Sequence, residues 1–361
     1  MPDAALRRHR RQRGASQYTC QVTIEPNHTQ FEAWTGKHLP DVLQVQDGVW
    51  AVPLPMEHEN YVRHTFTYLI LDDEDGLHVI DPGWGFEDNR VRLKSAFGQI
   101  RRGIEDVRSI VSTHLHPDHT GLAPYIRSRS GARLLVHHEE AAAMNSGASP
   151  GILVDFSRKL REWGAPLPER IKLYTSLSRQ RRFASPEVVH PDDVLSDGDW
   201  LPIPGRRIRV LHTPGHTEGS ICLFDEDTRS IFTGDTLLPM IHPGIGLGGA
   251  SSGQDRTSPL AAYFASLGRL EQLDAAMVHP GHGYSFRGLQ ERIEETAGHH
   301  RRRSDEVRSL VAQHPGARVW QVAERVHWTA GWDRLVGFMR LSAVAQTAMH
   351  IDYLTLPPTD S

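Results

Sequence analysis

Three imidazoles and one carboxylate fall within six residues of the segment Thr113-His114-Leu115-His116-Pro117-Asp118-His119-Thr120-Gly121. Imidazole nitrogen and carboxylate oxygen are the ligand atoms that suit zinc, manganese or iron. The cluster follows the apolar run Ile110-Val111-Ser112. A strand ending there projects these side chains from a tight turn into one small volume. Pro117 stiffens the turn, because its ring fixes one backbone dihedral. Thr120-Gly121 then lets the chain turn sharply into a helix, with Thr120 as its N-cap. The competing reading is a histidine-rich surface loop. A single His would favour that loop; three with an Asp at this spacing favour a metal site.

The elements that must carry this cluster are legible from periodicity. Short alternating runs between Cys20 and Leu54, such as Val49-Trp50-Ala51-Val52, read as strands. Phe66 to Leu71 and Leu77 to Ile80 read as a hairpin around the turn Asp72-Asp73-Glu74-Asp75-Gly76. Residues 87 to 103 read as a helix through Val91, Leu93, Phe97 and Ile100. Val107 to Ser112 is the buried strand that delivers the histidines, Leu122 to Ser128 a helix and Ala132 to Val136 the next strand. Strand, helix and strand in turn imply a sheet covered by helices. Residues 138 to 184 break that rhythm with helical patterns: Glu139 to Asn145, then Ile152, Phe156 and Leu160, then Ile171, Tyr174 and Leu177. A helical insertion here would either cap the cleft or simply pack. From Asp192 to Leu238 the pattern is β again, with a hairpin at Asp225 to Thr228. Met240 to Pro259 is a Gly- and Ser-rich loop expected to line a pocket. Beyond Gly283 four helices are expected: Leu289 to Arg303, one from Ser304, Val319 to Val326 and Leu335 to Tyr353.

These motifs resemble, in order, those of the metallo-β-lactamase superfamily. Val79-Ile80-Asp81-Pro82-Gly83 is similar to the first motif and the His cluster to the second. Thr213-Pro214-Gly215-His216-Thr217-Glu218-Gly219-Ser220 is similar to the third, Phe232-Thr233-Gly234-Asp235-Thr236 to the fourth, and His279-Pro280-Gly281-His282-Gly283 to the fifth. The resemblance covers roughly residues 45 to 285. It implies an α/β fold, the αββα metallo-β-lactamase sandwich, with a small helical, winged-helix-like C-terminal region. That tail is similar to the appendage of a branch holding thioesterase-like hydrolases and an endoribonuclease. The implied organisation is a disordered basic tail at 1–18, a catalytic domain at 19–287 with the insertion at about 138–184, and a helical domain at 288–361.

The resemblance also implies the ligand set. His114, His116 and His216 would hold one divalent ion, and Asp118, His119 and His282 a second, with Asp235 bridging. Zinc is expected, with iron or manganese as alternatives. All seven positions are filled, which favours two ions. A water held between them would lose its proton near neutral pH and attack a carbonyl carbon. Asp118 would orient that nucleophile or pass a proton to the leaving group. Asp81 would hold the His-bearing loop without touching metal. Phe156, Tyr174 and His242 are candidates to line the substrate pocket, and Tyr174, His242 and Tyr284 to supply a further donor. His58, His64, His242 and His279 lie near motifs but are not assigned to metal.

Length, composition and charge bound the rest. The 361 residues allow two domains, and 39% hydrophobic and 23% charged residues are ordinary for a globular protein. A net charge of −4 offers no global attraction to nucleic acid or membrane. Cys20 and Cys222 cannot form a disulfide framework. The arginines of residues 7–13 precede no apolar run, and no stretch is long enough to span a bilayer. A soluble cytoplasmic enzyme is expected. The expected substrate is a small thioester, ester or lactone. Phosphodiester hydrolysis, favoured by Arg179 to Arg182 and Arg301 to Arg303, is the second reading, which keeps nucleic acid open as the less favoured partner. β-Lactam hydrolysis and redox chemistry at iron are further alternatives. Oligomeric state is not legible.

Overall fold

The computed structural model describes residues 24–56, 62–145, 157–180, 190–247 and 258–356. Two sheets form its centre. The larger has seven strands in the spatial order Leu43–Gln46, Val49–Pro55, His64–Leu71, Leu77–Ile80, Val107–Val111, Arg133–His137 and Asp193–Leu195. Its first four strands pair antiparallel and the remaining pairings are parallel. The smaller has six strands in the order Glu25–Pro26, Phe286–Arg287, Met277–Pro280, Ser230–Gly234, Ile221–Asp225 and Ile208–His212, with Ser230–Gly234 and Met277–Pro280 parallel.

Alternation along the strands builds the layers. Tyr68, Ile70, Ile80, Val111 and Leu135 join Val210, Ile221, Leu223 and Phe232 in a core between the two sheets. Their neighbours Leu69, Val79, Ile110, Leu134 and Val136 point the other way, into a core under the helices Glu87–Gln99 and Ala123–Ser130. Successive strand residues face opposite sides, so one apolar run fills two cores. The outer face of the smaller sheet is covered by Pro259–Glu271 and Leu289–Gln313, through Leu260, Tyr263, Leu267, Leu289 and Ile293. The helix–sheet–sheet–helix order expected from sequence is present.

Several elements differ from expectation. His28–Thr35 is a helix capped by Asn27, where strands are expected. The helix Glu87–Gln99 buries Asn89, Leu93, Ala96 and Phe97, while Val91 is exposed. Thr120 is not an N-cap: it ends the short helix Pro117–Thr120, and its hydroxyl donates to the His116 carbonyl at 3.0 Å. The expected break at Ser304 is absent. Leu289–Gln313 is one helix of 25 residues, with no Gly or Pro at that point, and Ser304 is buried against His350 Nδ1 at 2.9 Å. After Arg287, among the described residues, every regular element is helical, so the winged-helix likeness extends to the helices and not to a wing.

The insertion shares a core with the C-terminal helices. Leu160, Ala165 and Leu173 pack with Trp320, Ala323, Leu341 and Val344. Trp320 N donates to the Trp163 carbonyl at 2.9 Å, and Arg340 Nη1 to Glu169 Oε2 at 3.1 Å. On the helix Leu167–Gln180, among residues 167–176, Leu173 is buried while Ile171 and Tyr174 are half exposed; the side chain of Leu177 lies outside the described residues. Helical spacing gives an apolar stripe but not the side that it faces. The basic tail and Phe156 lie outside the described residues.

Trp320 is 2% exposed at the centre of this shared core. Trp320→Ala is expected to lower unfolding free energy by about 3–5 kcal/mol, the usual cost of emptying a large aromatic site. Denaturant titration of the variant against wild type checks this, and a loss below about 1 kcal/mol would show that the layer is loosely packed.

Candidate metal centre

The ligands sit where strands end. His114 to His119 follow Val107–Val111, Asp235 follows Ser230–Gly234, His282 follows Met277–Pro280 and His216 follows Ile208–His212. The first three strands take part in parallel pairings, and loops at carboxyl ends of such strands are the usual place for a site in an open α/β sheet. Both sheets contribute, so the cluster lies on the seam between them. Gly234 makes this approach feasible: its φ is +47°, and a Cβ there would lie 2.4 Å from Thr113 Oγ1.

Two groups of ligand atoms result, each within 4.8 Å: His114, His116 and His216, and Asp118, His119 and His282. Asp235 joins a third such group with His114 and His119. His116 Nδ1 lies 2.9 Å from His114 Nε2 and 3.1 Å from His216 Nε2. His282 Nε2 lies 3.3 Å from both Asp118 Oδ2 and Asp235 Oδ1. The two oxygens of Asp235 divide between the groups, Oδ1 at 3.5 Å from His119 Nε2 and Oδ2 at 3.6 Å from His216 Nε2. All of the histidines proposed as ligands and both carboxylates are thereby brought together.

Each ring is held from behind. His119 Nδ1 lies 2.8 Å from Asp81 Oδ2, His282 Nδ1 2.8 Å from the His64 carbonyl and His216 Nδ1 2.6 Å from the Gly244 carbonyl. His116 Nε2 lies 3.2 Å from the Leu247 carbonyl. Carbonyls and carboxylates only accept, so in each ring the rear nitrogen carries a proton, and in the neutral rings of His116 and His216 the front nitrogen keeps its lone pair. His114 obeys the same rule through a relay. Its Nδ1 donates to Thr113 Oγ1 at 3.1 Å, and that hydroxyl donates to Asp81 Oδ2 at 2.8 Å. Asp81 Oδ1 also accepts from Thr113 N at 2.7 Å, so one buried carboxylate orients two histidines and their loop. Asp81 takes the left-handed backbone, φ +51°, which Asp tolerates better than most residues.

The donor set fits divalent cations. His119 Nε2 and Asp235 Oδ1 are buried and make no hydrogen bond. Gly281 leaves space beside them, where a Cβ would come within 2.8 Å of Asp235 Oδ1 and of His119 Cε1. Buried polar atoms without partners are costly, and a shared cation satisfies them. Zinc, iron and manganese all accept nitrogen and oxygen donors.

Charge separates the two groups. Burial, together with neighbouring imidazoles, lowers His114 and His116, and lowers His216 to about 4, so these three are neutral. Burial also opposes charge on His119, but the carboxylates of Asp118, Asp81 and Asp235 outweigh it and raise His119 to about 9. His282 is raised in the same way by Asp235 and Asp118. Burial would raise Asp118, yet His119 and His282 bring it down to about 2, so it is a carboxylate at neutral pH.

Of the substrate-lining candidates, His242 stacks on His299 with ring centroids 3.9 Å apart, next to the C-terminal helices. Tyr174 is half exposed on the insertion helix. Phe156 and His58 lie outside the described residues. Tyr284 is fully buried and packs edge-on against Phe31, and His279 packs against Tyr68 and Phe232. A cavity of about 450 Å³ is lined by Phe264, Ile293, Arg301 and Tyr353 and includes none of the clustered ligands. The loop from Met240 touches the site through the Gly244 and Leu247 carbonyls; its residues 248–257 lie outside the described residues. Sequence reasoning missed these carbonyls and Glu140, which binds both histidine loops. A lone Glu in an Ala-rich helix gives no such signal; its position one helical turn after a strand ending beside the site is the available clue.

The chain belongs to the metallo-beta-lactamase superfamily, which residues 60–282 match. It is 28% identical over 307 residues to the probable metallo-hydrolase YqjP of Bacillus subtilis (strain 168), covering 84% of this chain and 90% of that protein. It is 32% identical over 164 residues to the acyl-coenzyme A thioesterase MBLAC2 of Homo sapiens, covering 44% of this chain and 53% of that protein. Among solved structures, a metallo-beta-lactamase family protein from Thermus thermophilus superposes with a TM-score of 0.70 at 27% identity, over 86% of this chain and 94% of that one. A beta-lactamase domain protein from Burkholderia ambifaria superposes at 0.72 with 23% identity over 93% of each chain, a likeness of fold. No helix among the described residues is long and apolar enough to cross a membrane.

Two outcomes are expected. Metal and proton compete for Nε2 of His119, whose affinity for the proton is raised to about 9. The metal-free protein is therefore protonated there at neutral pH, and metal uptake should release protons and tighten as pH rises towards about 9. Calorimetry in buffers of different ionisation enthalpy measures that release; uptake without proton release at pH 7 would contradict the raised value. Asp235→Ala should lower metal content more than His282→Ala, because Asp235 faces both groups. Elemental analysis after gel filtration checks this, and wild-type metal retention in Asp235→Ala would contradict a shared carboxylate.

Proposed function

We propose that this chain is a dinuclear metal-dependent hydrolase of small carbonyl esters, with acyl thioesters as its first substrate class. The observation that carries the reading is Asp235, whose two carboxylate oxygens face different ligand groups. In this reading His114, His116 and His216 hold one divalent ion, Asp118, His119 and His282 the other, and Asp235 both; zinc is the ion proposed. Ions bound there supply a nucleophile from water near neutral pH and polarise a carbonyl oxygen.

The chain's own residues supply position and proton handling. Asp81 and the carbonyls of His64, Gly244 and Leu247 fix the imidazoles, so little reorganisation accompanies the reaction. Asp118 is ionised and 9% exposed, so it can accept a proton and deliver it to a leaving thiolate or alkoxide. The thioester preference is supported by the likeness to a protein named acyl-coenzyme A thioesterase, which spans about half of that protein. Phosphodiester hydrolysis gains less support: Arg301 lies over the Phe264 ring and Arg303 over Trp328, so part of the basic cluster is engaged within the helical layer.

The test is a panel assay of zinc-loaded protein against a short acyl thioester, a lactone, a β-lactam and a short RNA. The thioester should turn over with the highest kcat/KM, a chelator should abolish turnover, and zinc should restore it. Preferred cleavage of RNA or β-lactam, or turnover that survives chelation, would overturn the proposal.

A further inference from the structure

We infer that Glu140 is a positioning residue that sets the spacing between the His114/His116 loop and the His216 loop, and so tunes the three-histidine group separately from the Asp118/His119/His282 group. The inference rests on the two-ion reading above. Glu140 lies in the helix His138–Asn145 and is 1% exposed. Its Oε2 accepts from Leu115 N at 2.8 Å, between the ligands His114 and His116. Its Oε1 accepts from Thr217 Oγ1 at 2.7 Å and from Gly219 N at 2.8 Å, just after the ligand His216. One carboxylate thus ties two ligand loops that belong to different sheets. Gly219 keeps the tie short, since a Cβ there would meet Glu140 N and Cγ at 2.6 Å.

The donor and acceptor inventory makes the tie selective. All three partners are donors, and a carboxylate is a group of this size that accepts at both ends. An amide in the same place turns one end into a donor, which then confronts either the Leu115 N–H or the Gly219 N–H. The loops must move apart, and His116 and His216, whose ligand nitrogens are 3.1 Å apart, move with them. The other group has fastenings that Glu140 does not touch, His119 by Asp81 and His282 by the His64 carbonyl. A general loss of stability would weaken both groups; loss of this tie weakens one.

Zinc titration of the metal-free full chain, in competition with a chromophoric chelator, reads the two binding steps. The step lost in His116→Ala identifies the three-histidine group. Glu140→Gln preserves side-chain size and should weaken that step by about ten-fold or more, in the range usual for residues that orient metal ligands, while changing the other by less than about two-fold. Thr217→Val, a milder change that removes one donor, should weaken the same step to a smaller extent and serves if Glu140→Gln does not fold. Two steps in wild type with both unchanged in the variants, or both weakened equally, would overturn the role of Glu140. A single wild-type step under replete metal would overturn the two-ion reading and this inference with it.

Discussion

Nitrogen lone pairs converge in this molecule at distances where they repel. His114 Nε2, His116 Nδ1 and His216 Nε2 meet at 2.9–3.1 Å with their protons on the far side of each ring. Such an arrangement costs energy until a cation occupies the middle, so the protein must impose it beforehand. It does so by fastening every ring at the nitrogen opposite the site. Asp81, through Thr113 and His119, is the heaviest of these fastenings, and it lies at the end of a strand buried on both faces. Rigidity in the sheets becomes direction in the lone pairs.

His114, His116, Asp118 and His119 were legible because their chemistry is local: imidazoles and a carboxylate crowded at the end of an apolar run announce themselves, whereas His216, Asp235 and His282 were legible through their resemblance to the superfamily's motifs. Asp81 was legible through the same resemblance, to the first motif. Glu140 was not, because its importance comes from what two distant loops offer it. The carbonyls of Gly244 and Leu247 were invisible because every residue has one. Among the elements, alternating strands were readable, and their single-residue alternation accounts for both cores. Helices were readable as helices, but their outward sides were not. Ile171 and Tyr174 have the spacing of a buried stripe, yet both are half exposed while Leu173 is buried. The helix Pro259–Glu271 carries Leu260, Tyr263 and Leu267 at helical spacing yet went unread beside the Gly- and Ser-rich loop before it, and Leu289–Gln313 was expected as two helices because Ser304-Asp305-Glu306 has the composition of a helix start.

The helical layer and the centre share a loop. Arg292, fully buried, donates to the carbonyls of Leu238 at 2.6 Å and Ile241 at 2.9 Å. The same loop continues to Gly244 and Leu247, whose carbonyls orient His216 and His116. It also pairs backbone to backbone with the motif itself, Leu247 N to the His216 carbonyl at 2.8 Å. The C-terminal helices therefore brace the three-histidine group, although none of the clustered ligands comes from them.

The seam position of the cluster has a kinetic consequence. Its ligands run from His114 to His282 along the chain and arrive from two sheets, so most of the non-local pairing must be complete before they meet. Long-range pairing of this kind is the slow part of folding. An ion in the surroundings would find only the local donors of His114 to His119 during that search and not the complete set, unlike zinc fingers, which fold around their metal. It would meet instead a finished crevice, and its binding would raise the native population by mass action after the fact. Scarcity of metal should thus shorten the lifetime of the folded chain without slowing its formation.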